Sequence, residues 1–186
     1  MVRLGAWKAE PRRRSSCYRP GDAGGPHTRR SLVIQAKPIV TERLTLEPVS
    51  PAVAAAVIAG DLSQVEVGDG WPHEHALHGL QHVAEGALVW FVTLEGRVIG
   101  DCGLHGPPNA QGEVEIGYGL AEPSRGLGFA SEFVPALAGW LLLQPEVSRV
   151  VANTDADNIA SRRALERAGF SVEREHDGAV DYQLTP

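Results

Sequence analysis

Val114, Ile116, Tyr118 and Leu120 alternate with Glu113, Glu115, Gly117 and Gly119, and shortly afterwards Arg125-Gly126-Leu127-Gly128-Phe129-Ala130 opens an apolar run that reaches about Leu143. The alternation marks a strand with one apolar face, and the run beyond it has helical length. Glycine lets the main chain approach a ligand closely, and the first-turn N–H groups of a helix lack internal acceptors, so a strand passing into a helix through two glycines is an anion cradle. A Walker A loop would need Gly-Lys-Ser/Thr, which is absent. A dinucleotide fingerprint would need a third glycine where Ser131 stands and an acid about 20 residues on, where Ser148 and Arg149 stand. An ordinary strand-to-helix turn is the remaining alternative.

The flanking elements follow from the same rules. Thr41 to Glu47 alternates, with Leu44 and Leu46 on one face, and ends at Pro48 as a half-buried strand. Ser50-Pro51 supplies an N-cap and a proline at the first position of an Ala-rich helix that ends near Gly60. A Gly-Asp-Gly-Trp-Pro loop at 68–72 precedes a polar helix from about His75 to Glu85. Leu88 to Leu94 and Val98 to Leu104 read as strands joined through Glu95-Gly96-Arg97. The helix opening at Gly128 is expected to bend or break near Pro135. Val147 to Ala152 is a short buried strand, and Asn158 to Ala168 is a helix between an Asn158 N-cap and a Gly169 C-cap. Phe170 to Glu175 and Ala179 to Leu184 close the chain as a hairpin on Asp177-Gly178. The order β-α-α-β-β-β-α-β-α-β-β predicts a mixed sheet in an α/β or α+β domain, not a doubly wound one.

Charge divides the chain in two. Residues 1–37 hold nine cations against two acids, a net of +7, and the rest hold 8 against 21, a net of -13. The basic head has no periodic apolar run before Leu32-Val33-Ile34, so 1–37 is expected to be a disordered extension and 38–186 the folded domain. Its Arg-rich start resembles a transit peptide, and Arg12-Arg13-Arg14 a twin-arginine signal, but no apolar h-region follows the arginines. Fifteen Arg against two Lys also fits a GC-rich coding sequence with a misplaced start, the reading favoured here. Nucleic acid is not an expected partner, since the body would repel its phosphates. The apolar stretches around Val53–Ala59 and Leu137–Leu143 fall short of the ~20 residues a bilayer crossing needs. Two cysteines, Cys17 and Cys102, suit a reducing compartment, so a cytoplasmic protein without membrane partners is expected.

Arg125, Gly128 and Ala130 fill the three places of the Arg/Gln-x-x-Gly-x-Gly/Ala motif, with Glu-Ile-Gly-Tyr ten residues upstream, Asn158-x-x-Ser161 on the next helix and Ala168-Gly169-Phe170 at its end. In this conjunction the chain resembles the GNAT N-acetyltransferase superfamily. With the Thr41-Glu42-Arg43-Leu44 opening, it is similar to the branch containing the ribosomal-protein N-terminal acetyltransferases, across residues 39–186. The resemblance implies a GNAT-like, mostly antiparallel central sheet of about seven strands flanked by about four helices. It implies acetyl-CoA as co-substrate, lying where the strand ending near Leu120 and the strand Val147 to Asn153 splay apart. The backbone of Tyr118, Gly119 and Leu120 would bond the pantetheine arm, and the N–H groups of Arg125, Gly126, Leu127, Gly128, Phe129, Ala130 and Ser131 would take the pyrophosphate. Asn158 and Ser161 match coenzyme contacts, and Arg162 is placed to reach a nucleotide phosphate, with a helix cap and a solvated helix face as the plainer readings.

Acyl transfer to an amine needs an uncharged nucleophile and therefore a general base. Glu113 and Glu115 stand two apart on one face of the strand, where like charges should raise one pKa, and Glu115 matches the family's usual base. Two solvated carboxylates are the alternative. Many members place a tyrosine acid for the departing thiolate seven residues after the helix-opening Asn, and here that position is Leu165. A non-catalytic acyl-CoA-binding module therefore stands as the second reading, and a nucleic-acid-associated protein acting through the basic head as the third.

Asp69, Trp71 and His73 are candidates for the acceptor lip, as an acid, a flat aromatic and a titratable group in a Gly/Pro-shaped loop. His73, His75, His78 and His82 invite a metal, but no HExxH motif or cysteine accompanies them, so no metal is expected. Cys102 is expected to be a small core residue. The acceptor is an amine, and the acidic body favours a cationic one: a protein N-terminus, a polyamine, an aminoglycoside or an amino acid derivative. A homodimer is compatible with these features.

Overall fold

The computed structural model describes residues 34–186; the expectations for the basic head, Arg12-Arg13-Arg14 and Cys17 among them, lie outside the described residues up to position 33. Ile34 is buried against the core, and the Trp90 indole donates to the Lys37 carbonyl at 2.8 Å, so the packed body takes in residues upstream of position 38.

Eight strands form one sheet: β1 (Ile39–Val40), β2 (Leu44–Pro48), β3 (Val89–Leu94), β4 (Arg97–Leu104), β5 (Glu113–Leu120), β6 (Arg149–Asp155), β7 (Ser171–His176) and β8 (Ala179–Leu184), in spatial order β1-β2-β3-β4-β5-β6-β8-β7. The eighth strand, beyond the seven anticipated, is the two-residue β1 on the edge. All neighbours are antiparallel except β5 and β6. The four α-helices are α1 (Pro51–Ile58), α2 (Glu74–Gln81), α3 (Phe129–Leu142) and α4 (Ile159–Arg167). The polar helix expected to reach Glu85 ends sooner, giving way to a 3-10 turn over His82–Glu85. α3 runs unbroken through Pro135.

The period-2 pattern of the central strands divides their side chains between two cores. Trp90, Leu104, Ile116, Phe133, Leu137 and Leu165 pack on the α3/α4 side, and Val57, Trp71, Leu80, Phe91 and Val98 on the α1/α2 side. Each fully buried large side chain stabilises the fold by about 1.5–3 kcal/mol. Local signals set the connections. Ser50 caps α1 through a bond from Val53 N, and Asp177-Gly178 takes two positive φ angles (45° and 79°), as the tightest hairpins require.

β4 and β5 approach so closely that a Cβ added at Gly100 would lie 2.4 Å from the Gly119 carbonyl oxygen and 2.7 Å from Leu120 Cδ2, whereas one at Gly139 on exposed α3 surface would meet nothing within 4 Å. Gly100→Ala is therefore expected to destabilise by about 1–3 kcal/mol through overpacking, and Gly139→Ala to stabilise by about 0.5–1 kcal/mol through helix propensity. Urea unfolding of the two variants checks the opposite signs.

Candidate active site

β5 and β6 pair only from Glu113–Arg149 to Glu115–Val151. Beyond Glu115 the strands part, β6 continuing against β8 alone, and a cavity of about 340 Å³ opens between β5, the 125–131 turn and α4. Main chain from Ile116 to Leu120 lines it on one side and Asn158, Ser161 and Ala164 on the other. The Gly-rich turn closes one end. Gly126 and Gly128 hold φ values of 76° and 84°, which strain any residue with a Cβ, and Gly128 is the N-cap of α3 without a side-chain cap bond. The open N-terminus of a 14-residue helix thus meets the cavity, with the N–H groups and dipole that favour an anion.

This turn is fastened from two directions. Arg125 Nε donates to the Leu120 carbonyl at 2.9 Å, tying it to the end of β5. From the bend just before β2, Arg43 donates to Glu132 in the first turn of α3 at 2.7 Å and to the Leu127 carbonyl at 3.3 Å, and lies 4.6 Å above the Phe129 ring. Thr41 Oγ1 donates to the same Glu132 at 2.6 Å.

The structure sorts the candidate residues. Tyr118, Gly119, Leu120, Arg125, Gly126, Gly128, Phe129, Ala130, Ser131, Asn158 and Ser161 all lie on the cavity wall. Leu127 is not on that wall and is exposed. Asn158 is buried and caps α4, accepting from Ser161 N at 3.1 Å. Arg162 departs from the expectation: it turns away, donating to the Tyr182 hydroxyl, the Ala156 carbonyl and Glu175. The α4 arginines on the cavity are Arg163 and Arg167, one and five positions further along the helix, because 100° per residue decides which face an arginine takes.

Glu113 and Glu115 do not act as a like-charged pair. Glu113 forms an ion pair with Arg149, its register partner on β6, and Arg149 also reaches Glu173 at 3.2 Å. Glu115 faces His105 instead, 3.3 Å from Glu115 Oε1 to His105 Nδ1, and His105 N donates to the Glu115 carbonyl at 3.0 Å. His105 lines the cavity. The sequence reading missed it; its one signal was a histidine at the end of a strand, just before the Pro107-Pro108 loop. The Tyr118 phenol and Ser161 Oγ share a hydrogen bond of 2.8 Å across the cavity, in the cleft between β5 and α4 where Leu165 offers no hydroxyl. Burial beside Phe133 pushes the phenol up to about 12, the Ser161 bond working against the shift.

The anticipated acceptor lip is dismantled in part. Asp69 is exposed and away from the cavity wall, and Trp71 is buried with its ring edge-on to Phe91 at 5.0 Å, so it is a core residue. His73 does reach the site: a Cβ at Gly119 would lie 2.9 Å from its Cε1. It caps α2, accepting from Ala76 N at 3.0 Å through Nδ1, while Nε2 faces Asp101 Oδ1 at 3.5 Å. Burial, with lesser repulsion from His75 and Arg125, drives the His73 pKa down to about 4. Asp101, 1 % exposed in β4, is another functional candidate the sequence reading missed, although an acid flanked by Val98-Ile99-Gly100 and Cys102 is a visible anomaly. Burial raises its carboxyl to about 7, against a lowering by the Trp71 indole N–H. Cys102 is buried in the α3/α4 core and its thiol is pushed up by burial, an inert packing residue. Among the described residues no group of three or more His, Cys, Asp or Glu could hold a metal, and no helix is long and apolar enough to cross a membrane.

Asp101 carries a pH signature. Its folded pKa is raised above the unfolded value of 3.8, so the stability it contributes is complete below about pH 4 and is lost as pH rises through about 7. Relative to Asp101→Asn, the wild type is expected to lose stability between those limits. One kcal/mol of that linkage already separates the melting temperatures by about 2–4 °C, and thermal melts of both proteins at about pH 5 and 8 test the sign.

The family model for the acetyltransferase (GNAT) domain matches residues 43–171. The uncharacterized N-acetyltransferase YjdG of Bacillus subtilis (strain 168) is 25% identical over 146 residues, 70% of this chain and 87% of that protein. The N-acetyltransferase p20 of Bacillus licheniformis is 34% identical over 77 residues, 41% of this chain and 43% of its own. Among solved structures, an acetyltransferase from Agrobacterium tumefaciens str. C58 superposes with a TM-score of 0.57 at 27% identity, covering 85% of this chain and 99% of that one. RimL, a ribosomal L7/L12 alpha-N-protein acetyltransferase in complex with coenzyme A, superposes with a TM-score of 0.60 at 20% identity over 80% of this chain and 98% of its own, a likeness of fold.

Proposed function

Because this chain belongs to the GNAT acetyltransferase family, whose members use acetyl-CoA, we propose that it moves the acetyl group to a primary, cationic amine by direct attack in a ternary complex, with Glu115 as general base. The observation that carries this reading is the parting of β5 and β6 beside an uncapped helix start. An extended pantetheine arm fits along Tyr118 to Leu120 as an added strand would, and its pyrophosphate meets the N–H groups at the start of α3. Arg163 and Arg167, in place of Arg162, are the counter-charges for coenzyme phosphate. With the pyrophosphate at one end and the arm running back along β5, the acyl carbon comes to rest beside Gly117.

Glu115 points to the α2 side of β5, by the alternation that sends Ile116, Tyr118 and Leu120 to the other side. Its pairing with His105 gives the carboxylate a fixed partner on the cavity rim. As the amine nitrogen attacks the thioester carbon, Glu115 accepts a nitrogen-bound proton, the C–N bond forms, and the C–S pair leaves with sulfur. The hydroxyl pair of Tyr118 and Ser161 supplies the proton-donating surface for that thiolate, the task for which Leu165 has no group. An acceptor that is cationic before it reacts suits a domain with a net charge of -13 over residues 38–186. The protein N-terminus on which RimL acts is one such amine.

Acetyl-CoA at about 100 times its dissociation constant is expected to stabilise the protein by about 2.7 kcal/mol, raising the melting temperature by roughly 5–10 °C. Thiol release against a panel of N-terminal peptides, polyamines, aminoglycosides and amino acid derivatives then identifies the acceptor. Glu115→Gln should lower kcat about 10²- to 10⁴-fold and leave coenzyme affinity unchanged; near-normal turnover removes Glu115 from the role. A melting shift without thiol release from any amine supports the non-catalytic coenzyme-binding reading instead.

A further inference from the structure

Asp101 is a buried carboxylate in the middle of a strand, and its surroundings are built in an unusual way. Trp71 Nε1, His73 Nε2 and Asp101 Oδ1 are all buried, and none meets full hydrogen-bond geometry within the described chain, although the indole N–H acts on the Asp101 carboxylate in favour of its ionised form. His73 Nδ1 accepts the α2 cap bond, so the neutral ring carries its proton on Nε2, the atom 3.5 Å from Asp101. Two N–H donors, one from the 68–72 loop and one from the start of α2, thus converge on one acceptor from β4. A buried polar group left unsatisfied costs about 1–3 kcal/mol, and packing alone gives no reason to retain an acid here.

Its position supplies the reason. Asp101 is the register partner of Gly119, and Gly103 is the partner of Gly117. On the face of β4 and β5 that looks toward α2, the succession is therefore Asp101 with His73, then two glycines that bring no side chain, then Glu115 with His105. Two acid–histidine pairs flank a strip of bare main chain, each about 7 Å along the sheet from Gly117. An acceptor that arrives as an ammonium gives up two protons from the same nitrogen, the first to free the lone pair and the second once the C–N bond forms.

We propose that Asp101 is a second proton-accepting residue of the acetyl transfer, taking the proton that the ammonium sheds before attack, with His73 and Trp71 positioning its carboxylate. This rests on the acetyltransferase reading above; Glu115 takes the second proton, which then makes good the one that the Tyr118–Ser161 pair gives to the thiolate. Over the cycle the C–N bond forms, the C–S bond breaks, one proton ends on the thiol, and the one held by Asp101 returns to solvent. The charged and titratable groups around Asp101 are few. His73 faces it from the start of α2, with His75 and Arg125 acting on that ring, and Cys102 adjoins it on its own strand. Phe91 on β3 and Gly119 on β5, its register partners, bring no charge. Its carboxyl, held up at about 7 by burial, exchanges a proton in the range where an ammonium must be relieved of one.

The test is the pH profile of thiol release from acetyl-CoA, from about pH 5.5 to 9, with an amine that the wild-type chain acetylates. Wild type should show an acid-side limb in kcat/KM for the amine near pH 7. Asp101→Asn, which keeps size and removes the ionisation, should lose that limb and at least about 10²-fold in kcat/KM, with coenzyme affinity unchanged and no fall in melting temperature. Trp71→Phe removes a donor that favours the ionised carboxyl, and should move the limb to higher pH while keeping most of the alkaline rate. An Asp101→Asn variant that retains the limb and stays within about twofold in kcat/KM overturns the proposal. So does one whose loss of rate tracks weakened coenzyme binding. Should Asp101→Asn fail to fold, an unshifted limb in Trp71→Phe overturns it. A wild-type chain that acetylates no amine removes the acetyltransferase reading and this one together, whereas an active wild type with an indifferent Asp101 removes this one alone.

Discussion

Pairing between β5 and β6 ends at Glu115, and the shape of the cavity depends on that interruption. A strand edge in the interior of a sheet presents N–H and C=O groups that must be satisfied, and most sheets satisfy them with the next strand. Here Val114 and Glu115 take Val150 and Val151 as partners, and then β6 follows β8 and leaves the edge of β5 facing a cavity. An extended ligand with alternating amide groups is the natural completion of that edge. The two cores hold the gap open from either side, because Phe133, Leu137 and Leu165 fix α3 and α4 to one face while Val57, Leu80 and Phe91 fix α1 and α2 to the other.

Electrostatics around the gap follow from who pairs with whom. Glu113 is spent on Arg149 across the first paired rung, so it locks β5 to β6 two residues before they separate. Glu115, one pleat further along, is the first acid beyond that lock and faces His105. Arginines divide likewise: Arg162 braces β8 and the segment after β6, leaving Arg163 and Arg167 for the cavity. The acids and cations left facing the cavity are those the sheet does not use for its own cohesion.

Much of this was legible in the residues. Asn158 reads as a cap and is one, the helix expected to begin near Gly128 does so, and the strand alternation of Val114 to Leu120 fixes which residues meet the cavity. What escaped the sequence shares one physical cause, since each feature depends on a partner far along the chain. The Glu113–Arg149 pair joins residues 36 apart, and nothing local distinguishes Glu113 from Glu115. Trp71 in a Gly/Pro loop looks like a surface aromatic until Phe91 is seen to cover it. Arg162 and Arg163 differ only in helical phase. Asp101 and His105 lie in or beside a strand whose apolar character drew attention to packing, and their histidine and carboxylate partners come from other elements.

Arg43 and Thr41 converge on Glu132, and Arg43 also holds the Leu127 carbonyl, so the first long strand of the domain is bolted to the turn that opens α3. The anion cradle is therefore not a property of the 125–131 segment alone. A chain begun at Leu44 would keep β2 to β8 and the glycines of the turn, yet would present a cradle whose φ angles no longer had the Arg43 and Thr41 brace. The few residues before Leu44 contribute little to the sheet and belong, mechanically, to the turn that opens α3.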